Sequence, residues 1–276
     1  MGLAAISYDS PELLSSFSRQ HGITFPLLSD AGSATIKRYG IVNMVADEAV
    51  SANRNDPAVA ADVNKYITLV NPNASMLGMA FPGTFIVDRN GRVTSRFFEA
   101  FYRERYTASS VMMPLDGRAG SVAGTRIYTE PLEINTYATD AAVAFGNRFA
   151  LVLEITPRRG IHVYAPGASA YRVIALTLAP QPFVRVLESP YPASQIYVFK
   201  PLNERVPVYQ RMFTLRQEVL LEGSPEAQTA LRGADRLTLT GALNYQACDD
   251  KVCFNPTSVP LSWTLRLQPL ITERPK

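Results

Sequence analysis

Cys248-Asp-Asp-Lys-Val-Cys253 carries both cysteines of the 276-residue chain, with four residues between them. Before it, Leu237, Leu239, Leu243 and Tyr245 alternate with Thr238, Thr240 and Asn244. After it, Val259, Leu261, Trp263, Leu265 and Leu267 alternate with Ser262, Thr264 and Arg266. A period of two is that of a strand burying one face. The two runs therefore predict a β-hairpin, with residues 246–258 as its connection and both thiols riding on that connection.

The size of the chain bears on what the thiols do. A disulfide closing so short a loop removes little unfolded-chain entropy, on the order of 2 kcal/mol, and 276 residues bury an ample core without it. A redox-active dithiol/disulfide at a strand end makes better use of the position. Asp249 and Asp250 disfavour a thiolate beside them, and Lys251 offsets only part of that. The pair is therefore expected to be attacked by a partner more readily than it attacks. A fixed hairpin clip in an exported protein is the alternative. A metal site is a weaker one, because zinc usually takes four ligands and only His21 and His162 are available, neither near the pair in sequence. No metal or other cofactor is expected.

The net charge of +3 is mild, and the basic residues are scattered, without a run interleaved with aromatics; nucleic-acid binding has no support. No segment approaches the roughly 18 apolar residues of a membrane span. Two cysteines do not settle the redox compartment. Met1–Ile6 lacks the basic region and apolar core of a signal peptide. A periplasmic or other extracytoplasmic location is therefore expected only if the full-length gene carries an export signal.

The length predicts two domains. Residues 1–108 read as α/β. Leu3–Ser7 is a short strand, and Ser10-Pro11-Glu12 starts a helix with a capping side chain, proline at its first position and acid in its first turn. Leu13, Leu14 and Phe17 are its expected buried stripe, and Gly22 its end. Phe25–Leu28 reads as a strand and Ser33–Tyr39 as a helix. Asn43–Ala80 reads as irregular, with a helix near Ala58–Tyr66. Thr84–Val87 and Val93–Phe98 flank Asn90-Gly91, a strong hairpin signal. That order is thioredoxin-like.

Three stretches, Ala5-Ile-Ser-Tyr-Asp-Ser-Pro-Glu12, Phe25-Pro-Leu-Leu-Ser-Asp30 and Pro82-Gly-Thr-Phe-Ile-Val-Asp88, resemble the peroxiredoxin (AhpC/TSA) family over roughly residues 2–100. The family pattern is entered late. Its first strand and helix, which carry the peroxidatic cysteine, have no counterpart, and Pro82 stands where the family has an arginine. The resemblance thus implies an incomplete thioredoxin-like fold without peroxide reduction. Exposed sheet and core are expected where the full fold would cover them, with either a fragment or a covering partner as the reason.

Phe101–Tyr106 reads as a final helix and residues 109–127, rich in Ser, Gly and Ala, as a linker. Residues 128–270 read as all-β, followed by a tail over 271–276. Strands are expected at Leu132–Tyr137, Arg148–Thr156, Ile161–Tyr164, Arg172–Leu178, Phe183–Leu187, Ile196–Phe199, Val206–Gln210 and Phe213–Leu221. Their spacing and the prolines between them point to a β-sandwich. Tyr128, Tyr137 and Trp263 read as core. His162 and Tyr164, two apart, share a strand face, either beside the disulfide or as an ordinary aromatic face. Asp249 and Asp250 either tune the redox pair or are solvated turn residues.

Tyr245-Gln-Ala-Cys-Asp-Asp-Lys-Val-Cys-Phe254, with Gly160-Ile-His-Val-Tyr-Ala-Pro-Gly167 and Val206-Pro-Val-Tyr209, resembles the N-terminal periplasmic domain of the DsbD disulfide reductases over about residues 128–268. The resemblance implies an immunoglobulin-like sandwich in which Cys248 and Cys253 exchange electrons with thioredoxin-fold redox proteins. It also implies an aromatic cap over the cysteines, for which Phe199 is the candidate. The expected function is therefore a thiol–disulfide relay. A non-catalytic scaffold with a structural bridge, or a fragment of a peroxiredoxin fusion, are the alternatives.

Overall fold

A computed structural model describes residues 2–51, 56–98, 104–116, 124–169, 171–199 and 204–269. The chain divides into two compact units, Met1–Tyr102 and Arg103–Lys276.

In the first unit β1 (Ala5–Ser7) leads into α1 (Pro11–His21), whose Ser10 cap accepts a hydrogen bond from the Leu13 amide. Gly22, at a φ of 61°, closes α1 in the left-handed conformation that glycine adopts without strain. β2 (Leu27–Ser29) pairs in parallel with β1. α2 (Ala34–Arg38), α3 (Met44–Val50) and α4 (Ala60–Leu69) follow, then the antiparallel pair β3 (Gly83–Val87) and β4 (Val93–Phe98). Two expectations need correction. The irregular Asn43–Ala80 stretch contains α3, started by Asn43, whose side chain accepts from the Ala46 amide. Of the α1 stripe only Leu14 is buried; Leu13 is 56% and Phe17 48% exposed. Among the described residues β1–β2 and β3–β4 are separate two-stranded ladders.

The second unit opens with β5 (Arg105–Tyr106), α5 (Ala108–Asp116) and β6 (Thr125–Tyr128). Residues 105–106 pair in parallel with Asn147 and Arg148 rather than forming a helix, and the stretch expected as a linker holds α5 and β6. α5 is seated by Ser110, which is buried against Thr107 and Thr139. Then come β7 (Leu132–Ala138), β8 (Ala142–Ala144), β9 (Asn147–Pro157), β10 (His162–Tyr164), β11 (Ala175–Leu178), β12 (Val184–Val186), β13 (Gln195–Phe199), β14 (Glu204–Tyr209) and β15 (Phe213–Leu221). α6 (Pro225–Ala230), β16 (Arg236–Tyr245), β17 (Ala247–Cys248) and β18 (Thr257–Gln268) complete the described part.

Three sheets result, ordered β12-β15-β9-β7-β6, β11-β16-β18-β8 and β13-β14-β10-β17. Leu132, Ile134, Leu151, Leu153 and Ile155 of the first share one buried cluster with Leu237, Leu239, Leu243, Leu261, Trp263 and Leu265 of the second. The Trp263 indole N–H donates to Thr136 Oγ1 at 2.9 Å across that core. Tyr137 and Trp263 are buried as expected, but Tyr128 is 62% exposed on its edge strand. Gly241 sits where the β11 backbone comes close: a Cβ there would lie 2.5 Å from the Thr177 carbonyl oxygen.

Candidate functional site: a half-buried disulfide in an aromatic cleft

β16 and β18 pair from Arg236↔Arg266 to Tyr245↔Thr257, so the hairpin connection is residues 246–256. The connection leaves its own sheet. Ala247 and Cys248 form β17 and pair with β10 of the third sheet, Val163↔Ala247 and His162↔Cys248. Strand alternation then sorts the side chains. Val163, Ala247 and Tyr209 point into the main core. Tyr164, Val206, Val208 and Cys248 form a second, smaller cluster on the other face, with Tyr171 and Tyr197 packed on it.

Cys248 and Cys253 are joined by a disulfide and face each other as an isolated antiparallel bridge. The turn between them is tight. The Asp249 amide donates to the Val252 carbonyl, and Asp249 Oδ1 accepts from the Lys251 and Val252 amides at 2.7 and 2.6 Å. These bonds hold the Asp249 carboxyl below its usual range. The Phe254 amide donates to the Ala247 carbonyl, fixing the other side of the turn. The result is asymmetric: Cys248 is 2% exposed, whereas Cys253 is an exposed residue.

Tyr164 reaches both sulfurs, its hydroxyl 3.1 Å from Cys248 Sγ and 3.7 Å from Cys253 Sγ. A disulfide sulfur has no proton, so the hydroxyl donates. Burial, reinforced by Tyr171 and Glu204, pushes the Tyr164 phenol well above its ordinary value and keeps it a donor. Tyr171 stacks on Tyr164 with ring centroids 3.9 Å apart and donates to Glu204 Oε2 at 2.6 Å. His162 is 2% exposed, edge-on to Tyr164 and stacked 4.4 Å from Tyr197. Its Nδ1 is buried without a hydrogen-bond partner. Burial lowers the His162 pKa, and Asp250 and Asp249 oppose that only in part. Tyr197 donates to Asp250 Oδ1 at 2.9 Å. Together these groups enclose a cleft of about 170 Å³ that opens beside the disulfide.

The structure thus brings His162, Tyr164, Asp249 and Asp250 to the Cys248–Cys253 pair. Phe199 ends β13 opposite Glu204, but its side chain lies outside the described residues. Tyr171, Tyr197 and Glu204 escaped the sequence reading. They come from a loop and two different strands, and only the sheet pairing brings them together. Among the described residues no group of three or more His, Cys, Asp or Glu side chains is placed to hold a metal ion, and no helix is long and apolar enough to cross a membrane.

Such a site can do thiol–disulfide chemistry. Cys253 is an exposed residue, while the sulfur of buried Cys248 lies against a hydroxyl donor.

Comparison with solved structures finds the N-terminal periplasmic domain of ScsB from Proteus mirabilis at 14% identity and a TM-score of 0.36, covering 51% of this chain and 51% of that one. The chain therefore spans about half of that neighbour. The GAE domain of GGA2p from Saccharomyces cerevisiae is similar at 9% identity and a TM-score of 0.29, covering 51% of this chain and 96% of that one. At these scores neither neighbour informs the fold or chemistry of this chain. No curated protein matches it. Residues 2–96 match the AhpC/TSA family, and this part of the chain is an AhpC/TSA, thioredoxin-like domain joined to a strand-rich unit.

Proposed function

We propose that the strand-rich unit, read as an immunoglobulin-like sandwich, is a thiol–disulfide relay that exchanges electrons with thioredoxin-fold proteins through Cys248 and Cys253. The observation that carries this reading is the asymmetry of the bridge: Cys253 is exposed, and Cys248 is buried 3.1 Å from the Tyr164 hydroxyl. A partner thiolate attacks Cys253 Sγ and the Cys248–Cys253 bond breaks. A mixed disulfide forms, and Cys248 departs as a thiolate that accepts the Tyr164 hydrogen bond and then a proton. The partner's second thiol attacks the mixed disulfide and releases Cys253, leaving the partner oxidised and the pair reduced by two electrons and two protons. The reverse sequence passes them to an acceptor disulfide. The resemblance of Tyr245–Phe254 to the DsbD N-terminal domain supports the same reading, and an exchangeable bridge suits an oxidising compartment.

No cysteine lies in residues 2–96, so that stretch supplies no thiol to the exchange. The test is trapping with an oxidised thioredoxin-fold protein. Cys248→Ser, which leaves the exposed thiol, should accumulate a mixed disulfide; Cys253→Ser, which leaves the buried one, should accumulate much less. Equal trapping, or none by either variant, would sink the assignment.

A further inference from the structure

We infer that the cleft beside the disulfide receives a basic side chain, so that the redox partner carries a lysine or arginine next to its exchanging thiol. This rests on the relay reading and specifies the partner's chemistry. At about 170 Å³ the cleft is below the roughly 300 Å³ at which small-molecule sites begin; it is the size for one side chain. Tyr164, Tyr171, Tyr197 and His162 are among the residues that line it, and aromatic rings attract a nearby cation.

The carboxylates strengthen the case. Glu204 and Asp249 line the cleft, and Asp250 accepts a hydrogen bond from Tyr197, which also lines it. Each uses one oxygen within the protein: Glu204 Oε2 with Tyr171, Asp249 Oδ1 with the turn amides, and Asp250 Oδ1 with Tyr197. Among the described residues their second oxygens have no hydrogen-bond partner. Lys251 is the one cation lining the cleft among the described residues. His162 adds no charge at neutral pH, since burial holds its pKa down.

Counting the described residues alone, a bare thiolate approaching Cys253 would meet three carboxylates against one ammonium, which slows it. A thiolate that arrives with its own cation cancels that field and fills the cleft.

The test uses the oxidised full chain and three small thiols: cysteamine (an ammonium), 2-mercaptoethanol (neutral) and 3-mercaptopropionate (a carboxylate). Rate constants for opening the disulfide are expressed per thiolate, which removes differences in thiol pKa. The expected order is cysteamine, then mercaptoethanol, then mercaptopropionate. At low salt the extremes should differ by about tenfold or more, and the gap should narrow at high salt. Glu204→Gln and Asp249→Asn, which keep a hydrogen-bond acceptor, should each shrink the ratio of cysteamine to mercaptopropionate. Equal rate constants for the three thiols, or a ratio unmoved by both substitutions, would overturn the basic-partner inference while leaving exchange intact. A bridge that none of the thiols opens would overturn the relay reading and this inference with it.

Discussion

With its hydroxyl 3.1 Å from the Cys248 sulfur and its ionisation suppressed by burial, Tyr164 hands a hydrogen bond to any thiolate that forms there. A hydrogen bond to a charged group contributes about 1.5–3 kcal/mol. Tyr164→Phe should therefore slow opening of the disulfide by about tenfold or more at fixed pH, measured as loss of the bridge under a neutral reductant. An unchanged rate would remove the phenol from the account. His162 makes a separate prediction. Its folded-state pKa lies below the ordinary 6.5 because burial penalises the cation. Between those two values the unfolded chain binds the extra proton, so the His162 contribution makes stability rise with pH and level off above about 6.5. The facing groups are Tyr164, Tyr197, Asp249 and Asp250; Asp249, whose pKa is also lowered, acts in a lower window, below about 3.9. His162→Phe keeps a ring against Tyr197, removes the orphaned Nδ1 and should flatten the wild-type loss of stability between pH 7.5 and 5, read from denaturant midpoints. A variant with the wild-type pH profile would contradict it.

At the scale of elements, β18 was the most legible part of the sequence. Val259, Leu261, Trp263, Leu265 and Leu267 are all buried and the residues between them exposed, because a long strand with one face on a core must repeat every two residues. Where sequence reading failed, the reason is also physical. α5 makes hydroxyl contacts among Thr107, Ser110 and Thr139, and contacts of that kind leave no apolar period in the sequence to announce a helix. The crossing of β17 into another sheet is set by pairing to β10, which no local pattern announces. Hence Cys248 and Cys253 were found from spacing, whereas Tyr171, Tyr197 and Glu204 were not. The two core sheets are also tied by one buried bond, the Trp263 indole to Thr136 Oγ1. Thr136→Val should leave that N–H unpaired and cost about 1–3 kcal/mol, while Thr136→Ser restores most of it. Equal unfolding midpoints for the valine variant and wild type would show that the bond contributes nothing.

On the scale of the whole molecule, an AhpC/TSA-type domain over residues 2–96 is joined to a strand-rich unit that holds both cysteines of the chain. The first contributes no thiol, and the second presents one exposed cysteine, one buried cysteine and an acidic aromatic cleft. The claim on which this division of labour depends is that the bridge opens under a biological dithiol. The reduction potential of Cys248–Cys253, obtained by equilibrating the full chain in graded dithiol/disulfide buffers, tests it most directly. An exchanging pair should titrate above about −300 mV, within reach of thioredoxin-type proteins near −270 mV. A value well below −300 mV would mark the bridge as a fixed clip and contradict the account.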